Sequence, residues 1–144
     1  MLGEVLSEIL SAASRDGALS VEHVAALDAA FPRVTEGALA LLDREGAVSV
    51  VQSAGPSPIT VALVAGSARG SRYVVLPSPP LCTCPFFAHS VALRGETCMC
   101  KHLLAALLCR SLRPPSVVPA AECTALLDSL LPCRTDEGCI QGLD

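Results

Sequence analysis

Two cysteine pairs and two histidines lie in one short stretch, residues 81–104, which reads LCTCPFFAHSVALRGETCMCKHLL. Each cysteine pair is spaced Cys-x-Cys, and a histidine follows the second pair after one intervening residue. Thiolate sulfur and imidazole nitrogen are the ligand atoms of structural zinc sites. Two closely spaced ligand pairs therefore predict a metal site, and a metal site constrains how the segments around it must meet.

The first ligand pair requires a curled backbone. Sulfur atoms at about 2.3 Å from a tetrahedral zinc ion lie about 3.8 Å apart, closer than an extended strand would hold the side chains of Cys82 and Cys84. Pro85 follows directly, and three further prolines lie within residues 77–80. Because proline cannot donate a ladder hydrogen bond, we expect no regular strand pairing in this part of the chain.

The second ligand pair predicts a helix start. Cys100 and His102 are two residues apart, which separates side chains by about 200° within a helix, so both can reach one ion only where a helix begins. The apolar run LLAALL follows His102 directly, and a helix N-terminus favours thiolate over thiol. The predicted zinc ligands are Cys82, Cys84, Cys100 and His102.

Such a ligand set is closed. Four protein ligands leave no coordination position for water, so a single zinc ion is predicted to stabilise the fold and not to act as a Lewis acid. The loop between the pairs has too few apolar residues for a core of its own, and the metal would supply the missing free energy. One alternative stays open, an all-cysteine set in which Cys98 replaces His102. His89 is favoured as a loop residue.

The remaining cysteines and the third histidine show no ligand spacing. Cys109 and Cys123 fall at apolar positions of predicted helices and are interpreted as core residues. Cys133 and Cys139 have no paired spacing that would indicate a second site. His23 lies in the first turn of a predicted helix and is expected to be solvated.

Length and composition indicate one globular domain. The chain has 144 residues, of which 51% are hydrophobic and 17% charged, which excludes a disordered chain. Its longest apolar runs, such as residues 59–66, are far shorter than the roughly 20 residues of a membrane span. Glu4 and Glu8 stand where a secretory signal carries basic residues, so we expect an intracellular protein with reduced cysteines and no membrane partner.

Apolar periodicity predicts three N-terminal helices. The first ends at Asp16-Gly17, the second is capped by Ser20 and stopped by Pro32, and the third begins near Thr35. The residues of the third helix predicted to face inward are Ala38, Leu39 and Leu42.

The periodicity then changes to that of strands. Three runs rich in Val and Ile, separated by turn residues, predict an antiparallel meander. The predicted class is α+β, a single domain over residues 1–144. Its parts are N-terminal helices (1–46), β-meander (47–76), zinc finger and following helix (77–113), C-terminal helix (114–131) and flexible tail (132–144).

Positive charge is concentrated around the cysteine pairs. The chain carries a formal net charge of −4, with three arginines against eight acids in residues 1–68 and one arginine against five acids in residues 114–144. Residues 69–113 carry six cations against one acid. These are candidate contacts to nucleic acid or to a partner, although they can equally form a solvated face. The six are Arg69, Arg72, Arg94, Lys101, Arg110 and Arg113.

No motif indicates catalysis. The chain has no Gly-rich phosphate loop, no Gly-x-Ser-x-Gly elbow, no His-Glu-x-x-His helix and no deaminase signature. We therefore expect no enzyme and no small-molecule substrate.

The spacing Cys-x-Cys, fifteen residues, Cys-x-His, from Cys82 to His102, resembles the SWIM zinc finger family. The helical N-terminus, the LLDREGAVSV run, the Arg-Tyr-Val-Val strand and the CKHLLAALL helix are similar, more narrowly, to the SWIM subunits of Shu-type recombination complexes. This likeness spans residues 2–113. The chain departs from the family in its Pro-rich link before Cys82, in Cys98 and in its Cys-containing tail.

The resemblance implies a small nuclear protein that pairs with a RecA-fold recombinase paralogue as a heterodimer. Such a pair promotes homologous recombination, including in meiosis, by helping recombinase filaments form on single-stranded DNA, and the partner brings any ATPase. The alternative is a stand-alone nucleic-acid-binding zinc finger. A third hypothesis, a zinc hydrolase, requires an exchangeable water on the metal.

Overall fold

The computed structural model describes residues 2–129, and its α+β class is the one predicted from the sequence. Five helices, one π-helical segment and five strands follow one another along the chain. In order they are α1 (Leu2–Asp16), α2 (Val21–Ala30), α3 (Thr35–Asp43), β1 (Val48–Ser53), β2 (Thr60–Ala65), β3 (Arg72–Leu76), β4 (Leu81–Cys82), the π-helical segment (Phe87–Leu93), α4 (Lys101–Leu112), β5 (Ser116–Val118) and α5 (Ala120–Asp128).

The three N-terminal helices begin and end close to the predicted residues. The Ser20 hydroxyl accepts a hydrogen bond from the backbone N–H of His23, and the imidazole of His23 accepts one from the backbone N–H of Ser20. This reciprocal capping box satisfies two N–H groups at the start of α2. His23 is therefore a capping residue and not merely solvated, which corrects the expectation from the sequence.

The sheet has the strand order β4-β3-β2-β1-β5. Strands β1, β2 and β3 form the predicted antiparallel meander, in which Val50 pairs with Ala62 and Leu63 with Val74. β4 extends it antiparallel, and β5 adds a parallel edge strand beside β1. Neither β4 nor β5 was predicted, because each is only two or three residues long and stands beside prolines.

The sheet is covered on both faces. Alternation along β3 sends Val75 into the core under α1–α4, while Val74 points to the opposite face and packs near Cys123 of α5. Leu104 and Leu108 of α4 are fully buried over the first face. The zinc-ligand candidates lie on that same face, at the edge formed by β3 and β4.

Three further details differ from the sequence prediction. In α3, Ala38 is buried and Leu39 and Leu42 pack half-buried against the core, as predicted, but Leu41 is also buried, which was not predicted. The segment predicted as a loop between the cysteine pairs contains the π-helical turn, in which the Arg94 N–H donates to the His89 carbonyl. The C-terminal part, residues 114–131, holds the short strand β5 before the predicted helix, which is α5, and the predicted tail lies outside the described residues.

No helix among residues 2–129 is long and apolar enough to cross a membrane.

Candidate metal centre

Four side chains from three separate parts of the fold converge at one point. Cys82 ends β4, Cys84 lies in the turn that follows, Cys100 is the N-cap of α4 and His102 lies in the first turn of α4. One ligand atom from each residue lies within 4.8 Å of the ligand atoms of the others, and all four residues are buried. The sequence predicted this cluster.

The curled backbone expected at the first pair begins at the end of β4. Cys82 pairs with Val75 as a strand residue, so the chain leaves the sheet after the first ligand. From the prolines we had expected it to leave the sheet before that ligand. The side chain of Thr83 turns back to β3, where its hydroxyl accepts a hydrogen bond from the Val74 N–H at 3.0 Å. This bond holds the Thr83 side chain toward β3. The thiols of Cys82 and Cys84, on either side of Thr83, point to the cluster.

Backbone amides face each of the three sulfurs. The Sγ of Cys82 accepts from the N–H of Cys84 at 3.5 Å, and the Sγ of Cys84 accepts from the N–H of Phe87 at 3.3 Å. The Sγ of Cys100 accepts from the N–H of Leu103 at 3.4 Å, inside the first turn of α4. Hydrogen-bond donors directed at sulfur favour the thiolate, which is the form that binds metal.

The imidazole of His102 supplies the test of whether a metal fits. The residue is 4% exposed, and neither of its ring nitrogens has a hydrogen-bond partner among the described residues. A buried imidazole with both nitrogens unsatisfied is costly, and coordination of one nitrogen would relieve much of that cost. The cluster is therefore positioned to hold a single zinc ion in a closed, structural Cys₃His site.

Without metal, the three thiols share protons unequally. Hydrogen bonds from Cys100 and Cys82 lower the pKa of the Cys84 thiol well below its usual range. Hydrogen bonding to Cys100 and Cys84, together with burial, raises the pKa of Cys82. The hydrogen bond with Cys82 lowers the pKa of Cys100, but the hydrogen bond with Cys84 and burial outweigh it and raise the value to about 11. Zinc binding to this site must therefore expel protons.

Two curated relatives match the chain over most of its length. Zinc finger SWIM domain-containing protein 7 of Mus musculus is 40% identical over 116 residues, which cover 78% of this chain and 74% of the relative. The protein of the same name from Homo sapiens is 34% identical over 110 residues, 76% of each chain.

The chain belongs to the zinc finger SWIM domain-containing protein 7 family. No family model matches it, and no solved structure matches it. Membership of this family confirms the resemblance to SWIM zinc fingers that the cysteine spacing indicated. It also fits a structural zinc ion in the Cys₃His cluster.

The two other residues of the SWIM finger that could have been zinc ligands, Cys98 and His89, lie outside the cluster. Cys98 is exposed and is not among the four converging residues, although it forms a Cys-x-Cys pair with Cys100. His89 is also exposed, within the π-helical segment. Cys109 and Cys123 are buried, as predicted for core residues, and burial raises the pKa of the Cys109 thiol.

Tyr73 is a residue of the site that the sequence did not reveal. Its ring packs against His102 with a centroid distance of 4.8 Å. Gly66 makes room for this ring, because a Cβ at that position would come within 2.8 Å of Tyr73 Cε2. Nothing in the spacing of Tyr73, nine residues before Cys82, predicts this contact, which arises because α4 packs on β3.

The six predicted cations lie on several different elements of the fold. Arg94 pairs with Glu96 at 3.4 Å, and Arg72 donates weakly to the Gly46 carbonyl at 3.5 Å. Lys101 lies at the start of α4, whereas Arg110 lies nine residues further along, about 13 Å away on a helix. Arg113 caps the same far end, and Arg69 lies in the turn before β3. Their assignment as contact residues stays a prediction.

Proposed function

We propose that the chain is a non-enzymatic adaptor that pairs with a RecA-fold recombinase paralogue as a heterodimer. The pair acts in the nucleus, where it promotes homologous recombination in DNA repair and meiosis by supporting recombinase filament assembly on single-stranded DNA. The partner supplies any ATPase activity. Membership of the zinc finger SWIM domain-containing protein 7 family supports this proposal together with the resemblance to the SWIM subunits of Shu-type complexes.

The single observation that carries an adaptor role is the closed metal cluster. Four buried protein ligands converge on one point, which leaves no coordination position for an exchangeable water. A zinc hydrolase needs such a position, so the cluster favours a scaffold. By joining β4 to the start of α4, the ion would hold the finger segment against the sheet.

The finger segment also exposes apolar side chains of the kind that protein partners cover. Leu81 is 42% exposed, Phe86 is 47% exposed and Leu93 is 75% exposed. All three lie between the two ligand pairs or directly before them, in the part of the chain that zinc would order. Three of the eight large apolar residues that are exposed within residues 2–129 therefore lie in this segment, where a partner would cover them.

The proposal is tested by co-expression of the full chain with the RecA-fold recombinase paralogues of its own organism, with zinc measured in each purified product. We expect one paralogue to co-purify in a defined complex that contains one zinc ion per SWIM chain. Cys84→Ser should remove the zinc and the complex together, while Cys98→Ser should preserve both. A zinc-free chain that still forms the complex would contradict the proposed role of the finger.

The stand-alone nucleic-acid-binding finger is the second candidate function. One observation favours it: Lys101 stands directly beside the finger and has no carboxylate partner within residues 2–129. A chain that binds single strands with a steep salt dependence and co-purifies with no RecA-fold protein would support this alternative. A defined complex with such a protein would exclude it.

A further inference from the structure

The chain has a single lysine, Lys101, and its side chain lies against helix α3. A Cβ built on Gly37 would lie 3.0 Å from Lys101 Cδ, so the lysine stem occupies the space that the glycine leaves open. Glycine within a helix is less favourable than alanine, but at Gly37 it allows Lys101 to pack along α3. The ammonium group of Lys101 then reaches Ser67, whose hydroxyl oxygen lies 3.3 Å from Nζ.

A small cavity of about 160 Å³ opens beside this lysine. Its walls come from α3 and its C-terminal cap, from the end of β2 with the two residues that follow it, and from the first residue of α4. Among residues 2–129, no acidic residue and none of the four metal ligands lines it. Apart from Arg44, Ser67 and Lys101, the lining consists of glycines, alanines and one leucine. The cavity is therefore separate from the metal centre.

Two cations line the cavity from different elements. Arg44 caps the C-terminal end of α3, and Lys101 begins α4. The one ion pair within residues 2–129 joins Arg94 to Glu96, so no carboxylate of that part neutralises either cation. Asp43, the acidic neighbour of Arg44, lines a different cavity, between α3 and the α1–α2 link. Two cations in a cavity without an acid favour an anionic ligand.

The size and the position of the cavity indicate which anion it takes. A carboxylate group fits a space of this volume, and the guanidinium of an arginine pairs with a carboxylate through two parallel hydrogen bonds. Ser67 and Lys101 also border the metal centre on the side of Phe86, whose ring is 47% exposed. A protein surface that covers Phe86 therefore lies next to the cavity and can place an acidic side chain in it. This position favours a carboxylate of a protein partner over a free anion.

We propose that this cavity receives one aspartate or glutamate side chain of the protein partner, with its carboxylate held between Arg44 and Lys101. The inference rests on the proposed function and deepens it, since it names the chemistry of one contact in the heterodimer. Arg44 is not among the six cations that the sequence singled out, because it lies in the acidic N-terminal part of the chain. Only the fold brings it beside Lys101.

Each of the two cations also has a role that needs no partner. Lys101 lies between two metal ligands, and a zinc ion with three thiolates and a neutral imidazole carries a net charge of −1, which a nearby ammonium offsets. Arg44 stands at the C-terminus of α3, where a cation interacts favourably with the helix dipole. If these were the only roles, removal of the cations would lower zinc retention or stability and leave the affinity for the partner unchanged.

The first test treats the zinc-loaded complex of the full-length chain and its RecA-fold paralogue with a carbodiimide, which joins a lysine amine to a carboxylate in direct contact. Because Lys101 is the only lysine of the chain, every cross-link from a side-chain amine of this chain must start there. We expect mass spectrometry to find Lys101 joined to one aspartate or glutamate of the paralogue. The control Lys101→Arg keeps the charge, so it should keep the complex and lose the cross-link.

Two outcomes of this experiment would overturn the proposal. One is a complex that forms normally but yields no cross-link from Lys101 to the paralogue. The other is a cross-link that added oligo(dT) suppresses, which would assign the cavity to a nucleic-acid phosphate.

The second test reverses both charges in the variant Arg44→Glu with Lys101→Glu. Biolayer interferometry on the immobilised paralogue should show binding that is at least about tenfold weaker, because like charges that face each other across an interface are strongly unfavourable. The variant should retain its zinc. Substitution of the cross-linked acid of the paralogue by lysine should then restore the affinity of this variant.

A matched double variant, Arg15→Glu with Arg110→Glu, makes the same charge change on α1 and at the far end of α4. It should bind the paralogue as the wild-type chain does. Equal weakening in both double variants would show that the total charge and not the cavity determines affinity, and this would overturn the proposal. Loss of zinc from the Arg44/Lys101 variant, or no rescue by the lysine in the paralogue, would also overturn it.

The same measurements separate this proposal from the adaptor function. Wild-type affinity in the Arg44/Lys101 variant would overturn the cavity assignment and leave the adaptor function standing. Absence of any complex with the wild-type chain would contradict the adaptor function itself, and the cavity assignment would fall with it.

Discussion

The ring of Tyr73 lies 4.8 Å from the imidazole ring of His102, centroid to centroid, at an interplanar angle of 57°. Tyr73 comes from β3 and His102 from α4, so this contact ties the sheet to the helix beside the metal cluster. A tilted aromatic pair of this kind contributes about 0.5 to 1.5 kcal/mol beyond the area that it buries.

We therefore predict that Tyr73→Ala weakens zinc retention, because the imidazole loses the ring that restricts its orientation. Competition with a chromogenic chelator should show a several-fold loss of affinity, as about 1 kcal/mol corresponds to roughly fivefold. Tyr73→Phe keeps the ring and is the control, which should behave as wild type. Equal zinc affinity in Tyr73→Ala and wild type would show that the ring does not position His102.

Substitution of a ligand should abolish zinc binding outright. Cys84→Ser and His102→Ala each remove one of four converging ligand atoms from a buried cluster. Atomic absorption should find no zinc in either variant and one zinc per chain in Cys98→Ser, whose side chain is exposed. Loss of zinc in Cys98→Ser with retention in His102→Ala would replace His102 by Cys98 in the ligand set.

Removal of the metal from the intact chain should open the finger before it unfolds the helical layer. The segment between the ligand pairs has one buried aromatic residue, Phe87, whereas α1 and α4 contribute many buried residues to the main core. Hydrogen exchange after chelation should therefore rise first in residues 82–100, because structural zinc supplies the folding free energy of small fingers. Uniform exchange across the chain would indicate that zinc holds the whole fold.

The free energy of unfolding should depend more on the buried leucines of α4 than on exposed leucines. Leu104 is fully buried, so Leu104→Ala should lower the free energy of unfolding by about 2 to 5 kcal/mol through lost burial and the resulting cavity. Leu93→Ala makes the same chemical change at a residue that is 75% exposed, and we expect a change within about 0.5 kcal/mol. Urea denaturation of the zinc-loaded variants measures both values.

Reaction with a thiol reagent should distinguish the exposed Cys98 from the buried Cys109 and Cys123. Cys98 is exposed, whereas Cys109 and Cys123 are buried and the pKa of Cys109 is raised by that burial. Because the thiolate is the reactive form, iodoacetamide should modify Cys98 before Cys109 and Cys123 in the zinc-loaded chain. Peptide mass spectrometry after a short pulse reads out each site, and early modification of Cys109 would contradict its burial.

The helices and the meander were predictable because their signals are local. Ser20 lies before an apolar run and caps α2, and the Val-rich runs that become β1, β2 and β3 lie between turn residues. The short strands were not predictable. β5 pairs in parallel with β1, from which it is separated by more than sixty residues, and its three residues carry no periodicity that could reveal a partner so distant.

The sequence by itself determined the metal cluster, because ligand chemistry and spacing are written locally in Cys-x-Cys and Cys-x-His. Only the tertiary structure decided what surrounds the cluster. Tyr73 packs against His102 because α4 lies over β3 in the core. Contacts of this kind join residues that are distant in the chain, so they depend on packing and on sheet register and leave no local pattern to find.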